Sequence, residues 1–518
     1  MTLVSYYNPP YTNGGIEKAT ANLIDFAKTD LLEPGASQTI TMTLEVEDMA
    51  SYDYQNEKAY VLEEGDYIIS INSDSHNIID QKTYTQEETV VYSGENKRAS
   101  DVVAATNVLD DAAGTVTYLS RADQFANLEE ATKAPESTDL AESFVSEYHL
   151  NSNFDYTMYL NDEDEMPVTG AKNGVKLVDL RDADYDDPKW EELLDQLTVE
   201  EMAHMIAMAG YQTDAIESVG KVGTLDFDGP AAINNNFTGV GSMGFPIEVV
   251  IASTWNKDMA KLWGQSMGEI SKEMGAHGWY APGMNTHRTP FGARNYEYFS
   301  EDGVLSGYIG ANAVAGAMEY GVYSYIKHFA LYEGNSKMVC AWSNEQAIRE
   351  IYLKPFEISV KDGGANAVMV SWSFIGHKWS GETSGLMKTI LRDEWGFRGM
   401  ALTDFFRNNG HGFMNADAAL ANGVDAMLST FDGGPNNVTD ATHPTSVKQM
   451  REACKNIMYT VVSSWAYEDG KVQTEMEGWK KLAIGIDVAI AIVLLASEAA
   501  VVRGYKKRKN TKVTVGKK

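Results

Sequence analysis

The chain is short of cysteine, of positive charge and of the signatures of cofactor chemistry, and each shortage removes a class of function. Two cysteines, Cys340 and Cys454, occur in 518 residues, with no Cys-x-x-Cys pair. They allow at most one disulfide and exclude a disulfide scaffold or a structural zinc site. Two buried or half-buried thiols are the simpler expectation. Lysine and arginine number 42 against 74 acidic residues, a formal net charge of −32. That sign repels phosphate backbones, so no nucleic-acid partner is expected. The histidines, among them His277, His287, His377 and His411, lack the His-x-x-x-His spacing of a helical metal site. No metal and no cofactor are expected. Gly239-Val-Gly-Ser-Met-Gly fits the dinucleotide pattern G-x-G-x-x-G, but it follows an asparagine run rather than a strand. No Gly-x-Ser-x-Gly elbow is placed after a strand, against a Ser-His-Asp hydrolase. The N-terminus lacks the basic start and apolar core of a secretory signal.

What is present suffices for large cores. Hydrophobic residues make up 44% of the chain, and its length predicts two or three domains. Residues 1–100 read as a β-sandwich. Ser37 to Val46 alternates polar and apolar side chains as a half-buried strand does, and Ala59 to Ile71 reads as two strands broken at Gly65. The region begins inside what reads as a strand, so the sandwich is expected to be incomplete. Residues 101–185 are acidic and mixed, a segment expected to link domains or wrap over a neighbour. From 186 to 468 apolar runs alternate with helical patterns. The runs are Val222–Phe227, Val249–Ala252, Gly278–Ala281, Val322–Ile326, Ala367–Val370, Gly399–Leu402 and Val424–Leu428, with helices at 257–274, 302–318, 344–361 and 384–395. Repeated βα units predict a (β/α)8 TIM-type barrel with one strand unresolved, or a doubly wound sheet as the alternative.

The far end differs in character. Residues 479–503 hold a mostly apolar stretch, Leu482 to Val502, of bilayer-crossing length at roughly 20 residues. Residues 504–518 form a basic tail that suits a cytoplasmic flank. A transmembrane helix is expected, with an amphipathic surface helix as the alternative. Asp487 and Glu498 weaken the span less for lying near its ends.

Polar residues cluster where the strands end. Asp228 follows Leu225-Asp-Phe, Lys327-His328 close the run from Tyr323, Trp372 follows Met369-Val-Ser, and Asp404 follows Leu402-Thr. Arg294 lies in Phe291-Gly-Ala-Arg-Asn-Tyr-Glu-Tyr-Phe-Ser-Glu-Asp. A barrel gathers such ends on one face, so residues distant in sequence share a pocket. Carboxylates that accept hydroxyl protons, a lysine and an arginine that donate, and aromatic faces together suit a polyhydroxylated substrate. Each residue alone has a plainer reading: a strand-end aspartate is often a turn former or helix cap, and Glu301-Asp302 read as a cap.

At these residues the sequence resembles glycoside hydrolase family 3, the β-glucosidase and β-xylosidase family. Leu197-Thr-Val-Glu-Glu-Met looks like its "LTLEEK", Asp228-Gly-Pro like its "DGP", and Lys327-His-Phe-Ala-Leu like its "KHFAL". The stretch from Pro282 to Asp302 is similar to "PGVNIHRSPLGGRNFEYFSED". Arg349 to Glu357 is similar to "REIYLPPFE", and Leu391 to Asp404 to "LRGEWGFKGFVVSD". The resemblance covers about 190 to 430. It implies a retaining O-glycosyl hydrolase acting on terminal β-D-glucosyl or β-xylosyl residues, with Asp404 as nucleophile and Asp228, Arg294, Lys327 and His328 holding the sugar. Trp372 stands where the family usually has a tyrosine, and Ala231-Ala-Ile replaces a basic residue after "DGP".

The N-terminal region resembles the fibronectin-type-III-like domain of the same family, here ahead of the barrel as in members of inverted domain order. The resemblance then implies an α/β sandwich domain before it, which normally supplies the acid/base glutamate, and the chain starts too late to include one. A fragment, a split gene product or a subunit whose separate partner chain carries the sandwich domain is the expectation. Glu333 is the in-chain substitute considered for the acid/base. The alternative function is a catalytically impaired, membrane-tethered carbohydrate-binding fragment. Either way the expected partner is a β-linked oligosaccharide or glycoside, with the barrel extracellular and the basic tail cytoplasmic.

Overall fold

The structure, a computed structural model, describes residues 1–332, 339–472, 478–510 and 516. Glu333 lies outside the described residues. The chain divides into two compact units, Met1–Val472 and Gln473–Lys518.

The first unit begins with seven strands: β1 (Thr2–Asn8), β2 (Asn22–Lys28), β3 (Ser51–Asp53), β4 (Ala59–Leu62), β5 (Gly65–Asn72), β6 (Ile78–Gln86) and β7 (Val90–Tyr92). They form one sheet of order β2-β1-β5-β6 and a second of order β3-β4-β7. Ile24, Tyr52, Tyr60, Leu62 and Tyr67 fill the layer between. Gly65 separates β4 from β5 at φ +131°, beside Pro10, which a Cβ there would approach to 3.0 Å. One expected strand is absent: Ser37–Val46 pairs with no neighbour. Its alternation survives as an extended segment in which Leu44 and Val46 pack on the sandwich core. The periodicity recorded which side chains turn inward, not a hydrogen-bonded ladder.

Residues 101–185 contain short helical turns and, among the described residues, no strand. They bond to the barrel at several points, and residues 120–123 bond to the sandwich loop at Asn13, Glu17 and Lys18. Val102 N–H donates to the Glu394 carbonyl at 2.7 Å, and Asn151 N–H to that of Gly412 at 2.8 Å. Asn161 N–H donates to the Thr445 hydroxyl at 2.9 Å.

The barrel sheet holds β8 (Gln212–Thr213), β9 (Thr224–Asp228), a hairpin of β10 (Asn234–Asn235) and β11 (Val240–Gly241), β12 (Gly278–Tyr280), β13 (Tyr323–Phe329), β15 (Ala367–Val370) and β18 (Met400–Thr403), while β14 (Cys340–Ala341), β16 (Phe374–Ile375) and β17 (Lys378–Trp379) form a small separate sheet. β9, β12, β13, β15 and β18 pair in parallel in that order. The segment 424–428 continues them through a parallel bridge from Leu402 to Ala426. Ala209 N–H donates to the Met427 carbonyl at 3.1 Å and Asp226 N–H to that of Tyr211 at 2.9 Å, which closes the ring. The last stave, 209–213, contains β8 and runs antiparallel to β9.

The ring is therefore TIM-type but not eight parallel strands: seven staves close it among the described residues, one of them reversed. The apolar run Val249–Ala252, read above as a strand, lies in a helix, Glu248–Ala252. Four apolar residues carry too little periodicity to separate a strand from one buried helical turn. Inside the ring the Tyr323 and Tyr325 hydroxyls donate to the two oxygens of Asp226 at 2.6 and 2.7 Å. Burial still pushes that carboxyl up to about 6. Both cysteines are free thiols, Cys454 buried and Cys340 half-buried.

The second unit holds a helix, Gly478–Lys509. From Leu482 to Lys509 it is long and apolar enough, by length and composition, to cross a membrane.

Candidate active site

The polar residues picked out at strand ends lie on β9, β13, β15, β18 and the loop after β12, and the parallel register brings them to one face. Lys327, near the end of β13, reaches across to Asp228, at the end of β9, with Nζ 3.2 Å from Oδ1. The next residue, His328, places Nε2 3.7 Å from Asp404 Oδ2. Asp404 leaves β18 with its own N–H bonded to the Val370 carbonyl at 2.9 Å. Its Oδ1 accepts the Phe405 N–H at 2.6 Å. Its Oδ2 is buried and has no hydrogen-bond partner among the described residues.

The electrostatics of Asp404 follow from that placement. Burial, at 7% exposure, pushes the carboxyl up to about 6, against the Arg294 guanidinium, the Phe405 N–H and the Lys327 ammonium, which favour ionisation. A buried carboxylate with one oxygen uncommitted is costly in a folded chain, and such groups cluster at functional sites. His328 is shifted the other way. Burial, Arg294 and Lys327 hold its pKa well below the ordinary histidine range, so the ring is neutral. Tyr298, kept protonated by burial, has its hydroxyl 3.0 Å from His328 Nδ1. That hydroxyl donates to Nδ1, which leaves Nε2–H facing Asp404. Asn285 fixes the backbone of the same histidine, accepting its N–H at 2.8 Å and donating to its carbonyl at 2.9 Å.

Arg294 is held from behind. Glu297 forks it, with Nη2 2.9 Å from Oε2 and a second bond from Nε to Oε1, and its guanidinium lies 5.4 Å over the Tyr332 ring. Trp372, after β15, donates its indole N–H to the Phe405 carbonyl at 3.3 Å and packs 4.8 Å from the His411 ring. Of the residues singled out in the sequence, Asp228 and Lys327 come within hydrogen-bond distance and His328 comes within 3.7 Å of Asp404. Arg294 joins them through its field on Asp404, and Trp372 through the residue after it.

Several neighbours escaped the sequence reading. Glu297 and Tyr298 stand inside the quoted stretch after Arg294, where a signal existed. Asn285 and Tyr211 carried none. Tyr211 sits in the reversed stave, and its hydroxyl lies 3.5 Å from Asp228 Oδ2 and accepts from Asn236 at 3.0 Å. Other expectations find structural explanations. Asp302 caps the helix Gly303–Met318 by accepting the Val304 and Leu305 N–H groups. The glycine pattern at Gly239 belongs to the β10–β11 hairpin, where Gly239 takes φ +72°.

As a chemical arrangement, the cluster offers one uncommitted carboxylate beside a neutral imidazole, with an ammonium and a guanidinium each carrying its own counter-ion. No cluster of three or more metal-ligating side chains occurs among the described residues.

Residues 233–457 match the family described as the glycosyl hydrolase family 3 N-terminal domain, and residues 3–75 the fibronectin type III-like domain. Beta-glucosidase A of Butyrivibrio fibrisolvens is 30% identical over 428 residues, which cover 77% of this chain and 49% of that protein. A beta-glucosidase of Ruminococcus albus is 27% identical over 484 residues, covering 88% and 48%. The crystal structure of a beta-glucosidase from Paenibacillus barengoltzii superposes with a TM-score of 0.68 at 24% identity, over 92% of this chain and 52% of that one, and shares its fold. The chain spans about half the length of the curated relatives it matches.

Proposed function

The chain belongs to glycoside hydrolase family 3, and on that premise we propose a retaining glycosidase that acts on terminal non-reducing β-D-glucosyl or β-xylosyl residues through a glycosyl-enzyme intermediate on Asp404. The observation that carries the reading is Asp404 Oδ2, buried without a hydrogen-bond partner beside His328 and in the field of Arg294 and Lys327. In this reading the ionised Asp404 attacks the anomeric carbon, and the bond to the leaving oxygen breaks as the ester forms. Asp228, Lys327, Arg294 and the Nε2–H of His328 hold ring hydroxyls, and Trp372 walls the pocket. Retention needs a second carboxyl about 5–5.5 Å from the first to protonate the leaving group and then activate water. Asp228 and Glu297 are bonded to Lys327 and Arg294. In this reading the acid/base comes from a further domain or a separate chain that carries it.

A 2-fluoro-2-deoxy-β-glucoside with an activated leaving group tests the assignment, because its intermediate forms without much protonation and turns over slowly. The expected result is one covalent sugar on the peptide that holds Asp404. Modification elsewhere, or none at saturating reagent, overturns the nucleophile. The pairing of Asp228 with Lys327 and of Glu297 with Arg294 favours a second reading: a catalytically impaired, membrane-tethered carbohydrate-binding protein. Reversible sugar binding without trapping would be its mark. In both readings the helix Gly478–Lys509 spans a membrane, with the barrel outside and the basic tail from Arg503 onward on the cytoplasmic side. Carbonate-resistant retention of the full chain in membranes tests the span.

A further inference from the structure

Part of the wrapping segment, residues 144–164, reaches the loops that follow two of the barrel strands carrying the site. Trp372 leaves β15 ahead of β16 and β17, and Asp404 leaves β18 into the loop 405–415. On the first side, the Tyr148 ring stacks on Phe374 with centres 4.9 Å apart, and the Phe144 ring on His377 at 5.0 Å. His149 pairs with Glu382, which also accepts the Tyr159 hydroxyl at 2.9 Å. Further on, the segment is fastened to the outer helix Pro444–Val462. There Asn161 N–H donates to the Thr445 hydroxyl at 2.9 Å, and that hydroxyl donates to Asp164 at 2.6 Å.

Among these anchorages, Asn151 enters the loop after Asp404. Its N–H donates to the Gly412 carbonyl at 2.8 Å, and its side-chain amide to the carbonyls of Asn409 and Met414, both at 3.1 Å. One residue of the segment thus holds three carbonyls of one turn. The turn needs that hold. Gly410, His411 and Gly412 stand at φ +57°, +52° and +85°, and a left-handed histidine persists only where its surroundings fix it. From His411 the contacts run back to the carboxylate. Its ring packs 4.8 Å from Trp372, whose indole N–H donates to the Phe405 carbonyl at 3.3 Å. The Phe405 N–H is the hydrogen bond on Asp404 Oδ1, at 2.6 Å.

We propose that Asn151 is a positioning residue for the reaction: it fixes the 409–414 turn and, through His411, Trp372 and the Phe405 N–H, aims the Asp404 carboxylate. The inference rests on the glycosidase reading above and adds to it a residue from outside the barrel. β18 sets where Asp404 leaves the sheet, and the loop sets which way Oδ2 faces. The groups assigned to the sugar, Asp228, Lys327 and Arg294, sit on β9, β13 and the loop after β12, away from this chain of contacts. Losing Asn151 should therefore disturb the attack and spare sugar binding.

The full chain and its Asn151→Ala and Asn151→Asp variants, labelled with 2,4-dinitrophenyl 2-deoxy-2-fluoro-β-D-glucoside, test this. Asn151→Asp keeps the shape and loses both amide donors, so it should behave as Asn151→Ala does. In both, the saturating rate of labelling is expected to fall about 10-fold with the half-saturating concentration unchanged, since misplacing a reacting group by about 1 Å costs up to about 10²-fold. The acid limb of that rate should also move above about 6, because a slackened Phe405 N–H favours the ionised carboxylate less. Thr445→Val cuts the fastening to the outer helix without touching the loop, and should leave both rate and limb as they are. Equal losses in all three variants, or a weaker half-saturation with an unmoved limb, overturn the positioning role. Deuterium exchange in peptides from 404–415 separates this result from the glycosidase reading. Faster exchange there in Asn151→Ala, with 223–228 unchanged, supports the hold on the loop even in a chain that the reagent does not label, so that only the glycosidase reading falls. Unchanged exchange at 404–415 overturns the hold.

Discussion

Buried charge is treated in opposite ways in two regions of the first unit. In the seam between the sandwich, the wrapping segment and the outer helices of the barrel, the buried long charged side chains Arg98, Arg349, Glu345, Glu357 and Glu394 all find partners. Arg349 bonds Glu394 at 2.7 and 3.1 Å, Glu345 at 3.0 Å and the Thr106 carbonyl at 2.8 Å, with its guanidinium 4.7 Å over Tyr52. Glu345 also accepts the Val108 and Leu109 N–H groups. Arg98 bonds Asp101 and Glu357, which Lys361 and Lys354 neutralise further. At the strand-end face of the barrel, by contrast, Asp404 keeps one oxygen uncommitted. Complete pairing serves attachment and leaves nothing to react; incomplete pairing is destabilising and leaves a group free for chemistry. The stretch Arg349–Glu357 that matches the family is on this view a clasp for the wrapping segment, not a catalytic motif.

The contrast breaks most readily at its extremes. Asp404→Asn should lower kcat/KM for an aryl β-glucoside by on the order of 10⁴-fold, as loss of one member of a catalytic unit does elsewhere. Retained turnover would remove Asp404 from the reaction. In the seam, Arg349→Ala leaves Glu345 and Glu394 buried without their cation and should cost about 3–5 kcal/mol, read as a fall in the denaturant midpoint of the first unit. An unchanged midpoint would mean that water replaces the arginine and the clasp is decorative.

A third expectation concerns Asp404 and pH. Its folded carboxyl is pushed up from 3.8 to about 6, so it stabilises the fold below the unfolded value, and that stability is lost as pH rises through about 6. Asp404→Asn should therefore be more stable than the unmodified chain by about 3 kcal/mol near pH 8, and by much less at pH 4. If Asp404 is the nucleophile proposed above, the unmodified chain should show the matching acid limb, with kcat/KM falling below about pH 6 as Asp404 takes up its proton. Equal stabilities across that window would show that the carboxylate is better solvated than its burial indicates.

The sequence was legible where chemistry and periodicity coincide. β9, β15 and β18 are apolar runs that end in a polar residue or lead straight into one, β13 carries Lys327 and His328 just before its last residue, and these ends hold Asp228, Trp372 and Asp404. What escaped depends on partners remote in the chain. Ser37–Val46 carries strand alternation, but a ladder needs a neighbouring edge and none reaches it. The reversed stave at 209–213 is short and is recognised only through its bonds to 427–429 and Asp226. The orienting role of Tyr298 exists only because β13 delivers His328 to its hydroxyl.

Glu248 gives the finest division between the two kinds of region. It opens the helix Glu248–Ala252 and is 0% exposed, and neither of its oxygens has a partner among the described residues. Burial, opposed by its own backbone N–H, by Lys327 and by the Gly283 N–H and reinforced by Glu297, drives its pKa well above the carboxylate range, so the folded chain holds it neutral. Unlike Glu345 it clasps nothing, and unlike Asp404 Oδ2 it has no ionised role at neutral pH. Its raised pKa stabilises the fold at low pH, and that contribution is lost as pH rises past the unfolded value of about 4.3. Glu248→Met, of similar volume, removes two unpartnered polar atoms and should raise stability by about 1–3 kcal/mol, with a larger gain at pH 8 than at pH 5. Because Glu248 adds to the field around Glu297 and Lys327, the same variant sharpens the contrast kinetically. Unchanged kcat/KM with higher stability assigns Glu248 to packing alone. A loss of kcat/KM with intact stability would place it with the pocket, as a buried acid that sets the charge on which Arg294 and Lys327 depend.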